Sequence, residues 1–326
     1  VTTIKQLFGH LQAAGTIFRR LSAIWLIVAL LYFVSGLISP GMFQFSQAIN
    51  IIQVAAFLGV VATGQTIALL TGGIDLSVAG VVTMANIVST SLMGGRPGNT
   101  LPAVIVCLLL AAAVGFVNGL VITIARVTPL VATLGMNSIL FGAALVYTGG
   151  APHGEISPDF AVYGQGHLGV FPVSSICWVS IVVAVAFLMR RTIFGRELYA
   201  VGANATAARM MGLPVNKIVI AAYVLSATMA VLGGLLLTSY IGSPSLGIGD
   251  QFLLTSIAAT VVGGTALSGG IGSVMETIGG TLFITELNSF TNIVHVSTGI
   301  QFVLQGTVIA LSVLMYRAIG FSRTVN

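Results

Sequence analysis

The chain has 326 residues, of which 56% are hydrophobic and only 6% charged, and its mean hydropathy is +1.08; soluble domains carry about 25% charged residues. This excludes a soluble globular enzyme and defines an integral membrane protein. A net charge of +5 would point to nucleic acid in a soluble chain, but here the cations flank apolar runs and set topology, so no nucleic-acid partner is expected.

Charged residues are absent from 21–74, 97–125, 127–154, 160–189 and 287–316, and each gap can hold at least one helical span. Strand-length alternation is missing, so the expected fold class is all-α: a polytopic helical bundle rather than a barrel. Ten membrane segments are predicted, at 21–38, 47–71, 76–93, 101–125, 128–148, 171–189, 218–241, 251–263, 273–290 and 298–316. The first follows Arg19 and Arg20 and ends without a small-x-small cleavage site, which predicts a retained span. Ten crossings put both termini on one side. With that side cytoplasmic, Lys5, Arg19, Arg20, Arg126, Arg190, Arg191, Arg196, Arg209, Lys217, Arg317 and Arg323 face the cytosol and only Arg96 lies outside. Glu155, Asp159 and Asp250 then fall in external loops. No linker or low-complexity tail divides the chain, so residues 1–326 form one transmembrane domain with a cytoplasmic loop at 190–217.

Between the second and third segments stands TGGIDLSVAG at 71–80. Gly72 and Gly73 can break one helix, and Asp75 can cap the next by accepting the N–H of Ser77 or Val78. The same break can shape a pathway or gate, as broken helices do in transporters. Cys107 and Cys177 fall inside predicted spans with no metal-ligand spacing, and no metal site is expected. The external loop 149–169 is rich in turn formers and too small for a binding domain.

The loop 190–217 concentrates five of the twelve cations. Within it Asn204 can accept a helix N-terminal N–H, Gly212 suits a left-handed C-terminal cap and Pro214 prevents continuation. This predicts a short helix displaying Arg209, Met210 and Met211, suited either to docking in a groove of another protein or to lying on lipid headgroups. Further on, Gly263, Gly264, Leu267 and Ser268 echo Gly72, Gly73, Leu76 and Ser77, a short internal similarity of the kind found near transport pathways. The stretch 263–272 is either a loop or a re-entrant turn. Ser273 and Glu276 fit a capping box. Glu286, about 15 Å further along the helix, is an intramembrane acid, either a structural group near Asn288 and Asn292 or a functional one.

Enzyme signatures are absent from the sequence. Neither Lys5 nor Lys217 closes a phosphate-binding loop, and no nucleophile, acid or base constellation stands out, so no catalytic residue is expected.

Several stretches together resemble the membrane permeases of bacterial ribose/xylose-type ABC sugar importers: TGGIDLSV at 71–78, Asn118 with Gly119, VATLG at 131–135, FGR at 194–196 with AVGAN at 200–204, Ala207 with Ala208, IAATVVGG at 257–264 and GGIGS at 269–273. The resemblance covers nearly the whole chain. It implies a multi-pass bacterial inner-membrane subunit, paired with a second permease copy or paralogue, two cytoplasmic ATPases that hold ATP and Mg, and a periplasmic sugar-binding protein. The chain itself would bind no cofactor. The resemblance also implies that the helix from Asn204 to Met211, with Ala207, Ala208, Arg209 and Met210 and closed by Gly212, is the coupling helix. Gly72, Gly73, Asp75, Ser77, Asn118, Gly263, Gly264 and Glu286 are the candidates for the pathway or gate. The chain departs from the family pattern in two places: Phe252 to Ser256 lacks the acid that many members carry there, and Ala79 stands where Gly is usual. Outside this class, an ion-coupled carrier would use Asp75 or Glu286 as a proton or cation site, and within it the solute could be a branched-chain amino acid.

Overall fold

Every one of the ten apolar segments is helical in the computed structural model, which describes residues 24–321. The bundle consists of α1 (Ile24–Ile38), α2 (Phe45–Leu70), α3 (Val78–Met93), α4 (Thr100–Thr123), α5 (Pro129–Thr148), α7 (Val173–Arg191), α10 (Val215–Ile241), α11 (Asp250–Val262), α12 (Val274–Ile293) and α13 (Thr298–Phe321). Three further helices lie in the loops: α6 (Pro158–Gln165), α8 (Ile193–Ala203) and α9 (Ala205–Met210). A two-stranded hairpin, β1 (His167–Leu168) and β2 (Phe171–Pro172), precedes α7. Lys5, Arg19, Arg20, Arg323, both termini and the start of the first predicted span lie outside the described residues.

Helices prevail because a chain in hydrocarbon must satisfy its own backbone polar groups. Among the described residues, α2, α4, α5, α7 and α10 are each long and apolar enough to cross a membrane. The helix α10 is the centre of the bundle and packs on α4, α2 and α3. The core between them is built from small and branched side chains of α2, α3 and α10, with Phe57, Ile67, Val82, Ala227 and Val231 all buried. By contrast α5 touches mainly α3 and α4 and leaves Val131, Leu134, Ile139 and Val146 exposed.

Both α3 and α11 are short. At about 1.5 Å per residue, the 16 residues of α3 reach about 24 Å and the 13 of α11 about 20 Å, against a hydrocarbon layer of about 30 Å. Each is completed by irregular chain, at 71–77 before α3 and at 242–249 before α11. The bundle has two distinct ends: one carries α6, the hairpin and Arg96, and the other carries Arg126, Arg190, Arg191, α8 and α9.

Candidate functional site

The helix break before α3 is a fully internal polar junction. Asp75 is buried and accepts from the Ser77 N–H (3.0 Å) and hydroxyl (2.6 Å) through Oδ1, and from the Ser226 hydroxyl of α10 (2.8 Å) through Oδ2. Asn118 of α4 donates to the Ser77 hydroxyl (2.9 Å), which orients that hydroxyl's proton toward Asp75. With its amide turned to satisfy both neighbours, Gln65 of α2 donates to the Asp75 carbonyl (2.9 Å) and accepts its N–H (3.3 Å). From α5, the Thr133 hydroxyl accepts the Leu76 N–H (3.0 Å) and the Asn137 side chain accepts the Gly80 N–H (2.7 Å). The expected local cap is present, and four other helices join it. Asp75, Ser77 and Asn118 are thus brought together, and the Tyr223 ring of α10 stands so close to Gly73 that a Cβ there would meet its hydroxyl.

The second glycine-rich stretch returns to the same place. Gly72 has φ +82° and faces the Ser268 carbonyl, the backbone of Gly269 abuts both Gly72 and Gly202, and the Gly270 N–H donates to the Leu70 carbonyl (3.0 Å). The two echoed segments therefore touch. Gly202 of α8 completes the junction, since a Cβ there would overlap the Leu70 carbonyl oxygen. The Tyr199 hydroxyl of α8 donates to the Gly272 carbonyl (2.8 Å), and burial pushes this phenol above its ordinary range. Gly263 and Gly264 themselves lie one step away, against Glu276, which is buried rather than exposed at the helix start. Ser273 caps α12 by accepting the Met275 N–H (3.3 Å).

From this junction α8 leads directly into α9. Thr192 caps α8 by accepting the Gly195 N–H, and Asn204 caps α9 by accepting the Ala207 N–H (2.9 Å). The helix then ends in a Schellman turn: Gly212 (φ +82°) donates to the Arg209 carbonyl and Leu213 to the Ala208 carbonyl, both 3.1 Å. Met210 and Met211 stand 85% and 82% exposed. Ala208 is 5% exposed and seats α9 on the bundle. Arg209 turns toward α4 and α10, where it lines a cavity with Arg126.

The structure also moves Asp250 from its expected external loop. The segment 242–249 folds back along α3, where Asn86 donates to the Ser243 carbonyl (3.1 Å) and accepts the Ser245 N–H (2.8 Å), and Thr83 accepts the Gly249 N–H (3.1 Å). Gly249 rests against the Ala79 carbonyl. Ala79 and Thr83 lie 14 and 10 residues before Met93 at the α6 end of α3, so the segment descends roughly 15–21 Å below that end. Asp250 opens α11 at its foot, and Ser243, Ser245, Asp250 and Gln251 remain exposed there. No sequence motif marked these residues; the signal was the short apolar run of α11 together with the turn formers Gly242, Pro244, Gly247 and Gly249.

Glu286 belongs elsewhere. It is buried on α12 next to Ser35 of α1, with Oε1 unpartnered among the described residues. Its neighbours along the helix serve separate contacts: Asn288 accepts from Gln305 (2.9 Å), Asn292 from Gln301 (2.8 Å), and Ser289 from Gln47 (2.7 Å). A cavity of about 460 Å³ at the α6 end, between α4, α6, α7 and α10, is walled by Leu101, Val104, Ile181 and Leu232 and offers little to a polar solute. Among the described residues, no group of three His, Cys, Asp or Glu could hold a metal ion.

Residues 47–313 match the family described as "Branched-chain amino acid transport system / permease component". Curated relatives match along almost the full chain. The ribose import permease protein of Escherichia coli (strain K12) is 36% identical over 89% of this chain and 92% of its own length. That of Bacillus subtilis (strain 168) is 33% identical over 88% and 90%. The galactose/methyl galactoside import permease protein of Haemophilus influenzae is 32% identical over 81% and 84%. No solved structure gave a significant match.

Proposed function

The chain belongs to this family of ABC transporter permeases, and on that premise we propose that it conducts a monosaccharide or related small polar solute, handed over by a periplasmic binding protein and driven by separate ATPase subunits that hold ATP and Mg. The solute class rests on the ribose and galactose importers to which the chain is similar. The family description also covers branched-chain amino acids, but these relatives are sugar permeases.

In the inner membrane the α9 end faces the cytoplasm, since Arg126, Arg190, Arg191, Arg196, Arg209 and Lys217 cluster there and, among the described residues, only Arg96 lies at the other end. Both termini are then cytoplasmic, with the ATPases below α9 and the binding protein above α6. A second permease copy or paralogue completes the pore.

The observation that carries this proposal is the glycine junction. Gly72, Gly202 and Gly269 fix α8 to the end of α2 and to the 263–272 turn with no side chain between them. ATP-driven movement of α9 is therefore transmitted as a rigid displacement of the two breaks, switching the bundle between outward and inward states. Backbone groups at membrane depth are tolerated where they are buried in protein or line a cavity. Gly72, Gly73, Asp75, Ser77 and Asn118 supply the buried hinge, while 242–249 and the start of α11 supply the solute-facing wall. Glu286 then holds α1 against α12 and stays outside the pathway.

Docking through Met210 and Met211 is testable, because both are exposed and neither supports the fold. Met210→Glu and Met211→Glu should each weaken ATPase association about tenfold or more, a loss of roughly 1.4 kcal/mol per decade, with membrane insertion intact. Pull-down of the ATPase with unchanged affinity in the double variant would overturn the docking assignment.

A further inference from the structure

A second feature of the α9 end is independent of docking. Gly115 and Gly119 let α4 close onto the backbone of α10 at Tyr223, Val224 and Ile220. Below that tight crossing the helices part, and a cavity of about 610 Å³ opens between them. Its floor is apolar, formed by Ile122, Val215 and Val219. Its polar lining is Thr123, Asn216 and two arginines, Arg126 from the α4–α5 turn and Arg209 from α9. Among the described residues, neither arginine side chain has a hydrogen-bond or ion-pair partner, and no acid lines the cavity. Arg126 is held with φ +57°, a left-handed conformation that non-glycine residues seldom adopt.

We propose that this cavity binds the phosphate headgroup of an anionic lipid from the leaflet at the α9 end. Two unpaired guanidinium groups at one mouth match phosphate oxygens through fork-shaped pairs of N–H donors. The exposed Asn216 amide can add a neutral donor. A lipid fits better than an acidic protein segment, because the apolar floor comes from the last turns of two spanning helices. Seven residues before Thr123, and so on the same side of α4, Phe116 is exposed and offers an apolar contact for an acyl chain. Basic recesses between spanning helices on the cytoplasmic side are a recurring setting for anionic headgroups.

The test is the thermal-unfolding midpoint of the detergent-solubilised full chain, titrated separately with phosphatidylglycerol, phosphatidylcholine and inorganic phosphate. Phosphatidylglycerol should raise the midpoint saturably, and the effect should shrink as salt is added; phosphatidylcholine and inorganic phosphate should not reproduce it. Each arginine facing an anionic lipid is worth about fivefold in affinity. Arg126→Asn, which tolerates the left-handed backbone, should therefore weaken phosphatidylglycerol binding about fivefold. Arg209→Gln, on the surface of α9, provides an independent variant with the same expected loss. Equal stabilisation by phosphatidylcholine, or by inorganic phosphate alone, would overturn the lipid assignment. So would unchanged phosphatidylglycerol affinity in either variant. If Arg126→Asn lost ATPase association while keeping its lipid affinity, the cavity would belong to the ATPase contact and the proposal would fall.

Discussion

At the scale of single residues the molecule depends on Asp75. Its carboxylate collects one backbone and two hydroxyl donors inside the bundle, and Asn118 fixes the direction of the chain that ends on it. Asp75→Asn sets an amide N–H against one of those donors, leaving buried groups unsatisfied at a cost of about 1–3 kcal/mol each. Thermal unfolding in detergent should show a lower midpoint for Asp75→Asn than for Ser226→Ala, which removes one donor and leaves the carboxylate its Ser77 partners. Equal midpoints for both variants and the parent chain would show that the junction is not a structural hub. The Ser77 half of this site is legible in the sequence, because a cap is a contact between residues two apart. The Asn118 and Ser226 contacts join residues 41 and 151 positions apart. They follow from which faces of α4 and α10 meet α3, and no local pattern encodes that. The burial of Ala208 is not legible for a related reason: a six-residue helix has no periodicity long enough to reveal its buried face.

At the scale of elements, hydropathy located all ten apolar helices because the bilayer constraint acts on every residue of a span. It could not give depth. The segment 242–249 reads as an external loop from its Gly, Pro and Ser content, and only Asn86 and Thr83 on α3 draw it inward. The helix α8 likewise reads as loop, since Gly195 and Gly202 lower its helix propensity and tertiary contacts restore it. Gly202 supplies the sharpest test at this scale. Gly202→Ala places a methyl on the Leu70 carbonyl and must push α8 away from α2. Solute uptake should fall at least tenfold while the ATPase still co-purifies, because Met210 and Met211 are untouched. Normal uptake in this variant would mean that α8 does not transmit the stroke.

At the scale of the whole molecule, two measurements address orientation and energy source. Cysteine labelling of sealed cells addresses the first. A membrane-impermeant reagent should modify His153→Cys, exposed at the α6 end, and spare Thr206→Cys, exposed on α9; the reverse pattern would invert the bundle. Ser157 is unsuited to such a probe because it is buried on the Arg96 carbonyl. The energy source is the central claim: we propose that separate ATPase subunits supply the motive step. Uptake of a radiolabelled monosaccharide that its binding protein binds, into proteoliposomes, tests it directly, with the chain reconstituted alone or together with its ATPase and binding protein. The account predicts accumulation only when all three proteins and internal or external ATP on the ATPase side are present, insensitive to protonophore. Uptake by the chain alone, abolished by protonophore, would contradict it.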